Sequence, residues 1–325
     1  MKESGGVATR QPVLTVTLNA ALDVTYNARR FGWGDQNRVE AVHRRAGGKG
    51  VNVARVLEQL GVGALVTGFA GGPTGEAIRR SLQAGGFHER LLEITSESRT
   101  TVVTISEADG LVTTFDEPGP TVSSTEWERF LVLFDELVRG RRVVALSGSL
   151  AQGLPEDAYR RLAEVAARHG VPAILDSSGK ALMAGLGGRP AVVKPNLKEL
   201  LEASGAGATR GDILAAAREL QRRGAEAVVV SMGKEGLRAV TPEGDWQVVP
   251  PEVRGNPIGA GDTAVAALIA GLIEGQPWPQ RLARAAALSA AAVAYPVAGG
   301  YDLARYPELL EKTRVRRLDG WRMSR

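Results

Sequence analysis

Eight residues, Asn256-Pro257-Ile258-Gly259-Ala260-Gly261-Asp262-Thr263, stand directly ahead of a long Ala-rich segment of helical character. Gly259 and Gly261 carry no Cβ, so the backbone N–H groups of Gly259, Ala260 and Gly261 can approach an anion closely. A helix N-terminus adds positive potential at the same point. Such a nest suits oxygens whose charge changes during a reaction. Asp262 stands beside it and has the chemistry to accept a proton from an attacking hydroxyl. Two other readings of the segment exist. Gly259 to Ala264 matches the G-x-G-x-x-A dinucleotide fingerprint, but Pro250, Pro251 and Pro257 break up the strand that should precede it. Asp262 is also an acceptable helix N-cap.

Three further segments carry polar groups on glycine-rich turns. Gly47-Gly48-Lys49-Gly50-Val51-Asn52 opens a helix. It is not a P-loop, because no Ser or Thr follows the Lys. Asn52 offers a donor and an acceptor to sugar-like hydroxyls, and the plain alternative leaves Lys49 in solvent. Ser231-Met232-Gly233-Lys234-Glu235-Gly236 follows an apolar run, at the end of a parallel strand where α/β proteins bind ligands. In Lys194-Pro195-Asn196-Leu197-Lys198-Glu199, Asn196 and Glu199 are three apart. They share a helix face, where Glu199 can hold Mg²⁺ through water. The same spacing also makes a capping box, and the two readings are compatible.

The elements that must position these groups alternate between strand and helix. Strands are expected at 13–18, 64–69, 143–146, 173–175, 191–193 and 227–230. Helices are expected at 51–60, 75–84, 157–169, 211–223, 263–273 and 281–295. This order predicts an α/β fold in three layers, a mostly parallel sheet with helices on both faces. Two stretches, Thr25 to Arg45 and Thr100 to Phe115, break the rhythm as extended segments, the second a hairpin with Asp109-Gly110 in its turn. They predict a small antiparallel sheet attached to the main layer. Residues 1–12 are expected to be a flexible N-terminus, 13–312 one domain, and 313–325 a solvated basic tail.

Composition narrows the chemistry. The chain has 325 residues, no Cys, three His and a net charge of +4. Disulfides, thiolate metal sites and a Cys nucleophile are excluded. The small basic excess favours attraction of phosphorylated small molecules over nucleic acid. No apolar run is long enough to span a bilayer. With no secretory h-region at the start, the expectation is a cytoplasmic protein with no membrane partner.

Taken in order, these segments resemble the PfkB (ribokinase-like) carbohydrate kinases from about Val13 to Leu310. The signatures are AGGKGVNVARVLEQLG (Ala46 to Gly61) and NPIGAGDTAVAALIAGL (Asn256 to Leu272). LNAALD (Leu18 to Asp23), LSGSL (Leu146 to Leu150), LDSSGKAL (Leu175 to Leu182) and VKPNLKEL (Val193 to Leu200) resemble the phosphofructokinase and tagatose-phosphate kinase branch. That branch commonly has Pro where this chain has Ala20 and Ala151.

The resemblance implies a ribokinase-like fold whose small sheet is a lid and a homodimer interface. It implies phosphoryl transfer from ATP, with Mg²⁺, to a phosphorylated ketohexose. Fructose 1-phosphate is the leading acceptor; fructose 6-phosphate and tagatose 6-phosphate are the alternatives. It further implies Asp262 as base and Gly259, Ala260 and Gly261 as anion hole. The sugar would meet Asp23, Gly47, Gly48, Lys49 and Asn52, and its phosphate Arg38, Arg99 and Ser149. ATP would meet Lys194, Asn196, Ser231, Gly233, Lys234 and Gly236, with Glu199 near the metal. A non-catalytic sugar-phosphate sensor on the same fold is the alternative from another class; an intact Asp262 argues against it, since a sensor needs no base.

Overall fold

The computed structural model describes residues 12–32, 34–204, 213–295 and 297–318. The expected flexible N-terminus at 1–12 lies outside the described residues except for Pro12. The first strand, β1 (Val13–Thr17), is β-branched at four of its five positions and buried on both faces. It pairs in parallel with two strands, β4 (Ala64–Gly71) and β8 (Val143–Ser147). Parallel neighbours on both sides require helices on both faces.

The large sheet has ten strands in the order β14-β13-β12-β11-β10-β9-β8-β1-β4-β5. Besides those named it comprises β5 (His88–Ile94), β9 (Ala173–Asp176), β10 (Val192–Val193), β11 (Ala227–Ser231), β12 (Leu237–Thr241), β13 (Gly244–Val249) and β14 (Arg314–Leu318). From β11 through β5 the pairing is parallel; β12, β13 and β14 extend it antiparallel. Alternate side chains feed opposite cores. In β4, Ala64 and Val66 join one cluster, and Leu65 and Phe69 the other. The first cluster is roofed by α1 (Lys49–Gln59), α2 (Gly72–Ala84), α8 (Ala260–Ile273), α9 (Trp278–Val293) and α10 (Tyr306–Lys312). The second is roofed by α3 (Ser124–Val138), α4 (Ala158–Arg168), α5 (Gly179–Gly185), α6 (Leu197–Ser204) and α7 (Ile213–Arg222). α8 is buried all round from Asp262 to Gly271, as an apolar helix sealed under a neighbour must be.

The expected basic tail at 313–325 is not a tail where it is described. Arg314–Leu318 is the edge strand β14, in register with β13 through Val248↔Val315. Its arginines stay exposed while its backbone pairs, and Arg317 lies over the Trp246 ring at 5.7 Å. A run of charge blunts a free sheet edge. Residues 319–325 lie outside the described residues.

The small sheet has four strands, β3-β2-β6-β7. These are β2 (Ala21–Ala28), β3 (Ala41–Gly47), β6 (Arg99–Ser106) and β7 (Val112–Asp116). β2–β3 and β6–β7 are antiparallel pairs joined by a parallel β2–β6 contact. The strands begin earlier than the extended stretches suggest, at Ala21 and Arg99. Between β2 and β3, at residues 29–32 and 34–40, the chain leaves the sheet.

Chain order makes a switch point at β1. After β1 the large sheet grows to β4 and β5, then resumes on the other side at β8. In doubly wound sheets ligands bind outside the carboxyl ends of strands at such a point.

Candidate active site

One cleft of about 1160 Å³ opens between the carboxyl ends of the parallel strands and the small sheet. Each central strand ends in a group that lines it. Asn19 follows β1, Gly148 and Ser149 follow β8, Asp176 ends β9, Lys194 follows β10 and Ser231 ends β11.

The glycine-rich segment near the C-terminus builds the floor. Gly259 is the N-cap of α8 at φ +85°, a left-handed conformation that favours Gly. Asp262 is therefore in the first helical turn, and the N-cap alternative for Asp262 is set aside. No strand leads into this turn: residues 250–259 form an irregular connection after β13, which removes the dinucleotide-fingerprint alternative. A Cβ added to Gly261 would meet only the Lys194 ammonium, at 3.4 Å. The space over this backbone belongs to the cleft.

Asp262 is 6% exposed. Its Oδ2 accepts a hydrogen bond from Asn52 Nδ2 at 2.9 Å. Burial pushes its carboxyl up to about 6, and the neighbouring Asp176 charge adds to the rise; Lys49, the Asn52 hydrogen bond and Lys194 pull the other way. A carboxylate held near 6 is ionised at neutral pH yet basic enough to take a proton.

Lys49 is not left in solvent. Its ammonium donates to Asp176 Oδ1 at 3.2 Å and lies 4.0 Å from Glu199 Oε1. Burial opposes its charge, but Asp176, Asp262 and Glu199 together hold its pKa above the ordinary lysine value. Lys194, 3% exposed, stands 3.5 Å from the same Asp176 oxygen. Asp176 is buried, and burial alone would raise its carboxyl; the two lysines reverse this and hold it ionised. Two cations thus meet in the cleft at one buried carboxylate, and Lys194 stands over Gly261.

Asn196 and Glu199 form the reciprocal cap. Glu199 Oε2 accepts from the Asn196 N–H at 2.8 Å, and Asn196 Oδ1 from the Glu199 N–H at 2.9 Å. Glu199 Oε1 still faces Lys49 and the cleft, so one side chain both caps the helix and lines the cleft. Asn196, Ser231, Gly233, Lys234 and Gly236 line the cleft beside it.

On the side of the small sheet, Asp23 and Arg99 both line the cleft. Burial pushes the Asp23 carboxyl up to about 6 against the pull of Arg45, Arg55 and Arg99. A Cβ on Gly47 would fall 2.1 Å from the Asp23 carboxylate, so Gly47 acts by making room rather than by lining the cleft. Arg99 Nε donates to Asn19 O at 3.2 Å, and Asn19 Nδ2 donates to Ser149 Oγ at 3.1 Å. Arg99 Nη1 is shared by Thr101, Asp116 and the Glu117 carbonyl.

Two of the expected site residues, Gly47 and Arg38, do not line the cleft. Arg38 lies in the exposed connection between β2 and β3 and does not line the cleft. Among the lining residues absent from the expectation are Asn19, Arg45, Asp116 and Asp176. Asp176 was findable, as the polar end of the strand-like run Ala173 to Leu175. Ala20 and Ala151, where Pro is common in the branch, are buried at 3% exposure each and keep their segments packed.

The comparisons with known proteins agree with this fold. The chain matches the pfkB family carbohydrate kinase model over residues 15–301. A 1-phosphofructokinase of Haemophilus influenzae is 34% identical over 312 residues, spanning 95% of this chain and 99% of that protein. The structure of phosphofructokinase-2 from Escherichia coli in complex with fructose-6-phosphate is 31% identical, with a TM-score of 0.84 over 91% of this chain and 98% of that one. A possible 1-phosphofructokinase from Thermotoga maritima is 27% identical, with a TM-score of 0.86 over 94% and 99%. The chain belongs to the pfkB family of carbohydrate kinases, and it is a phosphofructokinase-type sugar kinase, a phosphotransferase with an alcohol group as acceptor.

Proposed function

We propose that the chain phosphorylates fructose 1-phosphate with ATP, giving fructose 1,6-bisphosphate and ADP. The observation that carries this reading is one cleft holding two constellations. Asp262, Asn52 and Lys49 surround the Gly259–Gly261 turn. Arg99, Asn19 and Ser149 form a second cluster suited to an existing phosphate. The relative of 34% identity that carries the name 1-phosphofructokinase supports fructose 1-phosphate as acceptor.

Asp262 takes the proton of the acceptor hydroxyl as its oxygen bonds to the γ-phosphorus and the bond to the ADP oxygen breaks. Backbone N–H groups of the α8 turn, with Lys49 and Lys194, stabilise the charge on the transferring oxygens. Lys194, Asn196 and the Ser231 to Gly236 turn hold the nucleotide. Among the described residues no three His, Cys, Asp or Glu side chains gather to hold a metal. That suits Mg²⁺, which keeps its waters and binds through one or two carboxylates and substrate phosphates. Glu199 would hold it through water, and the ion would supply charge neutralisation between the phosphates. The lid closes over the sugar, and its exposed Val42 and Leu111 fit burial against a second copy. We place the reaction in the cytoplasm.

A substrate panel tests the reading. ADP release is measured with fructose 1-phosphate, fructose 6-phosphate, tagatose 6-phosphate and fructose. The expected result is a kcat/KM for fructose 1-phosphate at least about tenfold above the others, the scale set by one charge-assisted contact. Preference for fructose 6-phosphate would favour the second reading, which the Escherichia coli phosphofructokinase-2 complex with that sugar supports. No turnover with any sugar would favour the sensor.

A further inference from the structure

Arg45 lines the cleft but has no part in the chemistry above. It lies on β3 directly opposite Asp23 of β2. Opposed residues of an antiparallel pair share a face, close enough to bond. The guanidinium nevertheless gives no hydrogen bond to Asp23. Its Nη2 donates instead to the carbonyl of Ala298, in the loop after α9. Asp23 is thereby left with its acceptors open to the cleft, while the lid is tied to the body.

The loop that Arg45 holds is packed against the reaction centre. A Cβ on Gly259 would stand 2.9 Å from Ala298 Cα and 3.0 Å from Gly299 N. A Cβ on Gly299 would stand 2.9 Å from Asn52 Oδ1 and 3.3 Å from Arg55 Cδ. Arg55 Nη1 in turn donates to Asn52 Oδ1. Residues 297–299 are therefore gripped by a lid arginine on one side, and by the anion-binding turn and the partner of Asp262 on the other.

We propose that Arg45 is a positioning residue that couples the seating of the lid to the anion-binding turn through the Ala298 carbonyl. Sugar engaged by Asp23 fixes the β2–β3 pair. Arg45 passes that fixation to residues 297–299, which back Gly259 and Asn52. The turn is then set for phosphoryl transfer only when the sugar is seated. The proposal rests on the reading of the small sheet as the lid of a sugar kinase. Neighbouring Arg44 serves as the control, because strand alternation leaves it exposed.

The test compares wild type, Arg44→Ala, Arg45→Gln and Arg45→Lys, each checked for an unchanged melting temperature. Arg45→Gln should lower kcat about tenfold or more while KM for ATP stays within about twofold, the range of a coupling contact. ADP released without sugar phosphorylation should rise relative to product. Arg45→Lys should recover part of kcat, and Arg44→Ala should match wild type. In ligand-free Arg45→Gln, amide exchange at 297–300 should speed up. A change confined to KM for the sugar would overturn the proposal and make Arg45 a substrate contact. Unchanged kcat would also overturn it. Should the wild type phosphorylate no sugar, the functional reading falls, and unchanged exchange at 297–300 in Arg45→Gln would still overturn the coupling on its own.

Discussion

The amide of Asn52 donates to the carboxylate of Asp262 at 2.9 Å, joining α1 to α8 across 210 residues of chain. The bond favours the ionised carboxylate and works against the effect of its burial.

Removing it should move the acid limb of the pH profile. In wild type, kcat/KM should fall as pH drops through about 6, where Asp262 takes up its proton. Asn52→Ala deletes a hydrogen bond that lowers the Asp262 pKa, so the limb should shift to higher pH. A shift of about one half to one pH unit matches a charge-assisted bond weakened by solvent entry. A limb that stays in place or moves to lower pH would disconnect Asn52 from the protonation of the base.

Gly261→Ala separates ligand space from protein packing. Its Cβ would meet no protein atom closer than the Lys194 ammonium, at 3.4 Å. The variant should fold with an unchanged melting temperature, yet lose kcat by about 10²-fold or more, as the anion hole is obstructed. Full activity in Gly261→Ala would place the transferring phosphoryl elsewhere.

Arg99→Ala should raise KM for fructose 1-phosphate about tenfold or more, with little effect on KM for ATP. Arg99 Nη2 makes no hydrogen bond among the described residues, while Nε and Nη1 are engaged. The fork is thus fixed through Nε and Nη1, with Nη2 the nitrogen that the proposed phosphate contact would use. Equal losses for fructose and fructose 1-phosphate would show that Arg99 supports the lid instead.

The parallel core and the cleft were legible because both depend on local patterns. Apolar runs such as Ala227 to Val230 announce buried strands, and glycines at 48, 259 and 261 announce turns that line the cleft. Contacts between distant segments were not legible. Nothing near Asp176 in sequence shows that Lys49 and Lys194 converge on it. The pairing of β14 with β13 joins Arg314 to Val249, and a basic run alone looks like a tail. Arg38 stands outside the cleft because the extended stretch holding it is two strands and an exposed connection, and strand periodicity does not mark where a connection leaves the sheet. The strand–helix rhythm does not show α3, although Ser123 and Glu126 form a capping box at its start.

Asp262 should cost the fold stability at working pH. Its carboxyl moves from 3.8 to about 6 on folding, so the folded state holds its proton more tightly than the unfolded chain. The stability from that proton is fully present below pH 3.8 and is lost as pH rises through about 6. At pH 8 the buried charge costs on the order of 2–3 kcal/mol. Asp262→Asn should therefore melt several degrees above wild type at pH 8, and the gap should close below pH 4. A variant less stable than wild type at pH 8 would mean that the carboxylate holds the fold together.

The most direct test is the turnover of Asp262→Asn with ATP and fructose 1-phosphate, alongside a binding titration for ATP. Loss of the base should lower kcat by about 10²–10⁴-fold while ATP affinity stays within about twofold. If Asp262→Asn keeps more than about half of wild-type kcat, the carboxylate that removes the proton is not Asp262.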